Sequence, residues 1–150
     1  MNEVFFNNFV YIITRQVGKN NLGGNTLIEG LINKEQIKKT ELVEIKRLDE
    51  YIFENEIKNI SLIKIDVEGY EFAVLKGLSR FLEKKLQKYP LIIVEIIPSA
   101  YSLQGLNLKA LDNYMKNYFY YAYTLDGKSR IDITKYENIH VFNVLFMHEN

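Results

Sequence analysis

Ser61-Leu62-Ile63-Lys64-Ile65-Asp66-Val67-Glu68-Gly69-Tyr70-Glu71-Phe72-Ala73-Val74-Leu75-Lys76-Gly77 changes its periodicity halfway along. Leu62, Ile63, Ile65 and Val67 mark a strand buried on at least one face. Asp66, Val67, Glu68 and Gly69 then break the pattern with two carboxylates and a residue free to take positive φ. From Tyr70 the apolar positions Val74, Leu75, Leu78, Phe81, Leu82 and Leu86 recur at helical three- and four-residue steps. The stretch predicts strand, tight turn and helix, with acidic groups at the carboxyl end of the strand. Open α/β sheets bind their ligands at that end.

Downstream, residues 91–97 predict a second buried strand, with Glu95 just before its carboxyl end and Pro98 stopping it. Leu108, Leu111, Met115 and Tyr118 give an amphipathic helix. Residues 119–124 and 141–147 read as strands, with Asp126-Gly127 marking a turn in the loose connection between them. Upstream, residues 48–56 predict a short helix with Asp49 and Glu50 in its first turn. Residues 42–45 suit a short strand, 26–39 fit no one element, 18–24 form a Gly- and Asn-rich loop, and 4–14 hold one or two strands. The order implies one α/β domain over residues 1–150, its sheet mainly parallel with one antiparallel closing strand.

Composition narrows the function classes. With 47% hydrophobic and 13% aromatic residues, the 150-residue chain can bury a core and is not of disordered type. Lys plus Arg equal Asp plus Glu at 19 each, which argues against a nucleic-acid partner needing a phosphate-neutralising stripe. The absence of cysteine excludes disulfides, thiolate metal sites and a cysteine nucleophile. The run 91–97 is too short to span a membrane and carries Glu95, and the first residues lack the pattern of a secretory signal. A soluble cytoplasmic protein is expected.

Four pieces stand in a telling order. They are Arg47-Leu48-Asp49-Glu50-Tyr51-Ile52, the run Leu62 to Glu71 with Val74-Leu75-Lys76-Gly77, Pro90-Leu91-Ile92-Ile93-Val94-Glu95, and Asn143-Val144-Leu145-Phe146. Gly24-Asn25-Thr26-Leu27 adds a fifth, shorter piece. Together they resemble the FkbM-type methyltransferases, which use S-adenosylmethionine. The resemblance implies the C-terminal part of a Rossmann-like class I methyltransferase sheet. It also implies transfer of a methyl group to a hydroxyl on a sugar, glycan or natural-product acceptor. Asp66, Glu68 and Glu95 are the candidate catalytic residues, Asp66 and Gly69 the candidate cofactor contacts, and no metal site is expected.

Methyl transfer from a sulfonium is an in-line displacement, so the protein must chiefly align donor and acceptor. A hydroxyl acceptor also loses a proton, which a carboxylate can take. The competing reading is that Asp66 or Glu68 caps the following helix, that Glu95 points into water, and that Gly69 serves only the turn. Glu71 reads as a first-turn residue favoured by the helix dipole. Residues 118–123, Tyr-Phe-Tyr-Tyr-Ala-Tyr, suit sheet packing better than ligand stacking, and His140 and His148 suit surface or loop positions. The family's opening Asp-x-Gly-x-Asn-x-Gly strand has no counterpart, since Val17-Gly18-Lys19-Asn20-Asn21-Leu22-Gly23 has Gln16 where the acid belongs. The strand at 62–67 is therefore expected to present an edge, inviting self-association or a complementing chain. That makes a non-catalytic, sheet-complementing subunit the alternative function.

Overall fold

The computed structural model describes residues 26–28, 30, 31, 45–84, 86 and 88–149. The strands expected at 4–14 and 42–45, the loop at 18–24 and most of 26–39 lie outside the described residues, apart from Ile45 and the short pieces at 26–28 and 30–31. Helix α1 (Leu48–Glu54) leads into strand β1 (Leu62–Ile65), helices α2 (Glu71–Lys76) and α3 (Ser79–Leu82), and strand β2 (Leu91–Ile96). Helices α4 (Pro98–Leu103) and α5 (Leu108–Lys116) follow, then β3 (Tyr120–Tyr123), a 3-10 turn (Ile133–Tyr136) and β4 (Phe142–His148).

The four strands form one mixed sheet in the order β1-β2-β4-β3. β1 and β2 pair in parallel, whereas β4 pairs antiparallel with both β2 and β3. The expectation of a mainly parallel sheet is corrected here. β1, β2 and β3 do run in one direction, but the reversed strand β4 is inserted between β2 and β3 rather than closing an edge. One inserted strand makes two of the three pairings antiparallel. Among the described residues β1 pairs with β2 alone, and its Leu62 is 52% exposed.

Burial follows the strand and helix periods. β2 alternates, with Ile92, Val94 and Ile96 fully buried and Leu91, Ile93 and Glu95 less so. α5 buries Leu108, Leu111 and Met115, its apolar stripe, and Asn107 caps it by accepting the Ala110 N–H at 2.8 Å. These side chains join Phe72, Leu75, Leu78, Tyr101, Tyr120, Val144 and Phe146 in the core. The tyrosine-rich strand packs as expected. Tyr120 is buried and donates its hydroxyl to the Pro90 carbonyl at 3.0 Å, while Tyr121 lies beneath the Arg130 guanidinium.

Several details depart from the expected elements. The helix after Tyr70 is two helices, because the chain turns at Gly77-Leu78. That turn abuts α1: the Asp49 N–H donates to the Gly77 carbonyl at 2.9 Å. The Asp49 carboxylate, fully buried, accepts the Arg80 N–H at 3.1 Å and two bonds from Arg47 at 3.0 and 2.7 Å. Pro98 does stop β2, but it also opens α4, since proline's missing N–H and fixed φ suit a first helical position. His148 is a partly buried strand residue rather than a loop one. It lies on β4 and stacks on Tyr89 with ring centroids 3.6 Å apart, and burial lowers its pKa. No helix among the described residues is long and apolar enough to cross a membrane.

Candidate active site

The parallel register of β1 and β2 decides which acids meet. Ile65 lies opposite Val94, so the next residues along, Asp66 and Glu95, stand side by side at the carboxyl ends of the two strands. Asp66 is just past β1 and solvent-accessible, and it pairs with Lys64 at 2.6 Å. That pairing lowers its pKa, and direct interaction with the Glu95 carboxyl acts in the same sense. Across the sheet, Glu95 lies opposite Asn143 of β4, whose Nδ2 donates to Glu95 Oε1 at 3.4 Å.

Glu68 and Gly69 form the turn itself, and both hold left-handed backbone, with φ of 51° and 100°. The Glu68 carboxyl is half-buried. Its pKa is raised first by desolvation and then by the negative charges of Asp66 and Glu95. The three candidate catalytic residues therefore feel one another electrostatically. The structure brings them to one end of the sheet. Among the described residues, three carboxylates against one paired lysine suit a cationic partner such as a sulfonium or an ammonium group. Among the described residues no group of three or more His, Cys, Asp or Glu is disposed to hold a metal ion.

The capping alternative is not what the structure shows. The N-cap of α2 is Tyr70 and no side chain caps it, so neither Asp66 nor Glu68 is consumed in that role. Gly69 does serve the turn. A Cβ on it would lie 2.5 Å from the Ala100 Cβ and 3.2 Å from Ile28 Cγ1. Only glycine allows α4 to approach the turn this closely.

Three residues around the turn were not legible as site residues from their pattern. Thr26 is buried and donates its hydroxyl to the Glu68 carbonyl at 2.5 Å, while accepting the Ile28 N–H at 3.1 Å. Gln104 Nε2 donates to the carbonyls of Gly69 and Ala100, both at 2.9 Å. Glu71 is the first-turn acid expected of α2, but it is 1% exposed, and its Oε1 accepts the Gly69 N–H at 2.6 Å. Burial raises its pKa to about 7. The signal for Thr26 was the short Gly24–Leu27 piece; Gln104 and Glu71 depend on tertiary packing that no spacing reveals.

α4 also borders an open cleft of about 730 Å³, lined by Ser99, Ser102 and Leu103 with Glu137, Asn138 and His140. Ala100 and Gln104 of the same region touch Gly69, so one short segment links the acidic turn and the cleft.

Comparison with known proteins gives a family match: the methyltransferase FkbM domain, over residues 7–122. That span includes α1, the acidic turn and β2, and stops within β3, before Asn143–Phe146. Neither the curated proteins nor the solved structures yielded a match. With well over half of its length covered, the acidic β1–α2 turn included, the chain belongs to the methyltransferase FkbM domain family.

Proposed function

We propose that the chain is an S-adenosylmethionine-dependent methyltransferase acting on a hydroxyl oxygen of a sugar, glycan or natural-product acceptor, on a sheet of Rossmann-like class I ancestry. The observation that carries this reading is the convergence of Asp66, Glu68 and Glu95 at the carboxyl ends of β1 and β2 in a chain of this family. When bound, S-adenosylmethionine would supply an electrophilic methyl group for transfer to the acceptor oxygen, the carbon–sulfur electron pair staying with sulfur.

The chain's own residues hold the charges and the proton. Asp66, kept ionised by Lys64, is suited to attract the cationic methionine end of the cofactor. Gly69, packed against Ala100 and Ile28, would serve the cofactor through the tight turn it allows, which sets where the neighbouring acids stand. Glu68 holds a proton more tightly than an ordinary glutamate, which makes it a better proton acceptor than Asp66 for the acceptor hydroxyl. Glu95, oriented by Asn143, positions that hydroxyl or shares its proton. Hydroxyl, amide, carboxylate and imidazole groups in the cleft beside α4 suit a polyhydroxylated acceptor.

The test is incubation with methyl-labelled S-adenosylmethionine and a panel of sugars, glycans and polyketide-like alcohols, reading label in an O-methyl ether. Label should enter at least one acceptor, and Glu68→Gln and Asp66→Asn should each slow it by about 10²-fold or more. Full turnover in Asp66→Asn would refute the assignment of roles.

A further inference from the structure

The turn that carries the acids is gripped from two sides. On the carbonyl side, Thr26 holds Glu68 and Gln104 holds Gly69. On the N–H side, Gly69 donates to Glu71 Oε1 at 2.6 Å, and backbone groups of Val67 and Glu71 also favour the ionised form of that carboxylate. A buried carboxylate forfeits its hydration, so it is retained only where fixed donors replace water. At Glu71 those donors belong to the turn.

Glu71 is not otherwise spoken for. Among the described residues its Oε2 has no hydrogen-bond partner, and neither has the buried Tyr101 hydroxyl, whose pKa burial raises, with the charge on Glu71 adding to the rise. Phe72 and Tyr101 stack beside it with centroids 6.3 Å apart. A charge-assisted N–H bond of this length is among the stronger kinds available to a backbone amide. The residues it restrains, Glu68 and Gly69, are two successive left-handed positions, and for Glu68 that conformation is disfavoured without external support.

We propose that Glu71 is a positioning residue: its buried carboxylate clamps the Gly69 N–H, holds the left-handed Glu68-Gly69 turn, and so sets where Asp66 and Glu68 present their own carboxylates. Glu71 touches no reacting atom. It acts through the peptide of Gly69. The inference deepens the methyltransferase reading, on which only its affinity arm rests.

The test compares the full chain with Glu71→Gln, which keeps an acceptor oxygen, and Glu71→Leu, which does not. Folding is verified by circular dichroism. Hydrogen exchange read by NMR should show the Gly69 amide protected in wild type and Glu71→Gln, and at least tenfold faster in Glu71→Leu, with Ile92 and Val94 unchanged. Equal Gly69 exchange in all three proteins overturns the proposal. Should Glu71→Leu fail to fold, wild type alone decides: the Gly69 amide proton shift must follow the Glu71 carboxyl titration, and a flat shift overturns it.

Affinity for S-adenosylhomocysteine should fall at least tenfold in Glu71→Leu and stay within threefold in Glu71→Gln. Ile133→Val, a core change in the 3-10 turn against α5, should leave affinity unaltered, which separates positioning from general loss of stability. Affinity lost in Glu71→Gln as well, or unchanged in Glu71→Leu, overturns the proposal. A wild-type chain with no affinity would sink the methyltransferase reading instead. The Glu68 carboxyl titration would then decide on the clamp: changed only in Glu71→Leu if the clamp exists, identical in all three if it does not.

Discussion

Gly69→Ala is the smallest change that attacks the candidate site through its backbone. Two costs follow from the structure. The residue has φ of 100°, a left-handed conformation that costs an L side chain about 1–2 kcal/mol. The added methyl would also sit 2.5 Å from the Ala100 Cβ, well inside ordinary contact, and overpacking of this kind costs about 1–3 kcal/mol. The sum, about 2–5 kcal/mol, is a large share of the roughly 5–15 kcal/mol that stabilises a typical domain. Urea unfolding followed by circular dichroism measures it, with an unchanged m-value showing that the denatured state is not the source.

A double-mutant cycle separates the two costs. Ala100→Gly alone weakens α4 by about 1 kcal/mol through helix propensity. Combined with Gly69→Ala it removes the steric part but leaves the backbone strain, so the coupling energy should favour the double variant by about 1–3 kcal/mol. Gly69→Ala within about 0.5 kcal/mol of wild type, or zero coupling to Ala100, would refute the claim that the turn is fixed by close approach of α4.

Other consequences are simpler to state. Asp49→Ala strips the Arg47 guanidinium and the Arg80 N–H of their buried acceptor and should cost about 3 kcal/mol in urea. Tyr120→Phe leaves the Pro90 carbonyl without its hydroxyl donor and should cost about 1 kcal/mol by the same measurement. Glu71 gives a pH dependence. Its folded pKa, about 7, lies above the ordinary 4.5, so between these values the folded state binds the extra proton. Stability is then full below about 4.5 and falls as pH rises through about 7. The loss is on the order of 3 kcal/mol, and in Glu71→Gln the slope over that window should largely disappear. A melting temperature that rises from pH 5 to pH 7 with the same slope in both proteins would contradict it.

Much of this architecture was legible because it is local. The switch from strand to helical period around Asp66–Gly69 located β1, the turn and α2, and the Leu108–Met115 spacing located α5. The companionship of Asp66 and Glu95 was legible too, since parallel neighbouring strands that both end in acids must place them together. What escaped the sequence is set at a distance. The insertion of β4 between β2 and β3 is a choice among non-local pairings that alternation along one strand does not encode. Pro98 carries two meanings, end of strand and start of helix, and only the first follows from the apolar run that precedes it. The 3-10 turn opens on Asp132, whose side chain accepts the Thr134 N–H at 3.1 Å, a local signal in what read as loose connection. Glu71 illustrates the limit best: an acid in a first helical turn normally faces water, and only the packing of Tyr101 and α4 over the turn makes it a buried one.

The central claim is that the acidic end of β1 and β2 is a cofactor site, and calorimetric titration of S-adenosylhomocysteine into the chain tests it most directly, with Asp66→Ala as the control. The account predicts binding tighter than about 100 μM, roughly 5 to 6 kcal/mol, abolished in Asp66→Ala while the variant remains folded. No detectable heat from folded wild-type protein, or equal binding by Asp66→Ala, would contradict it.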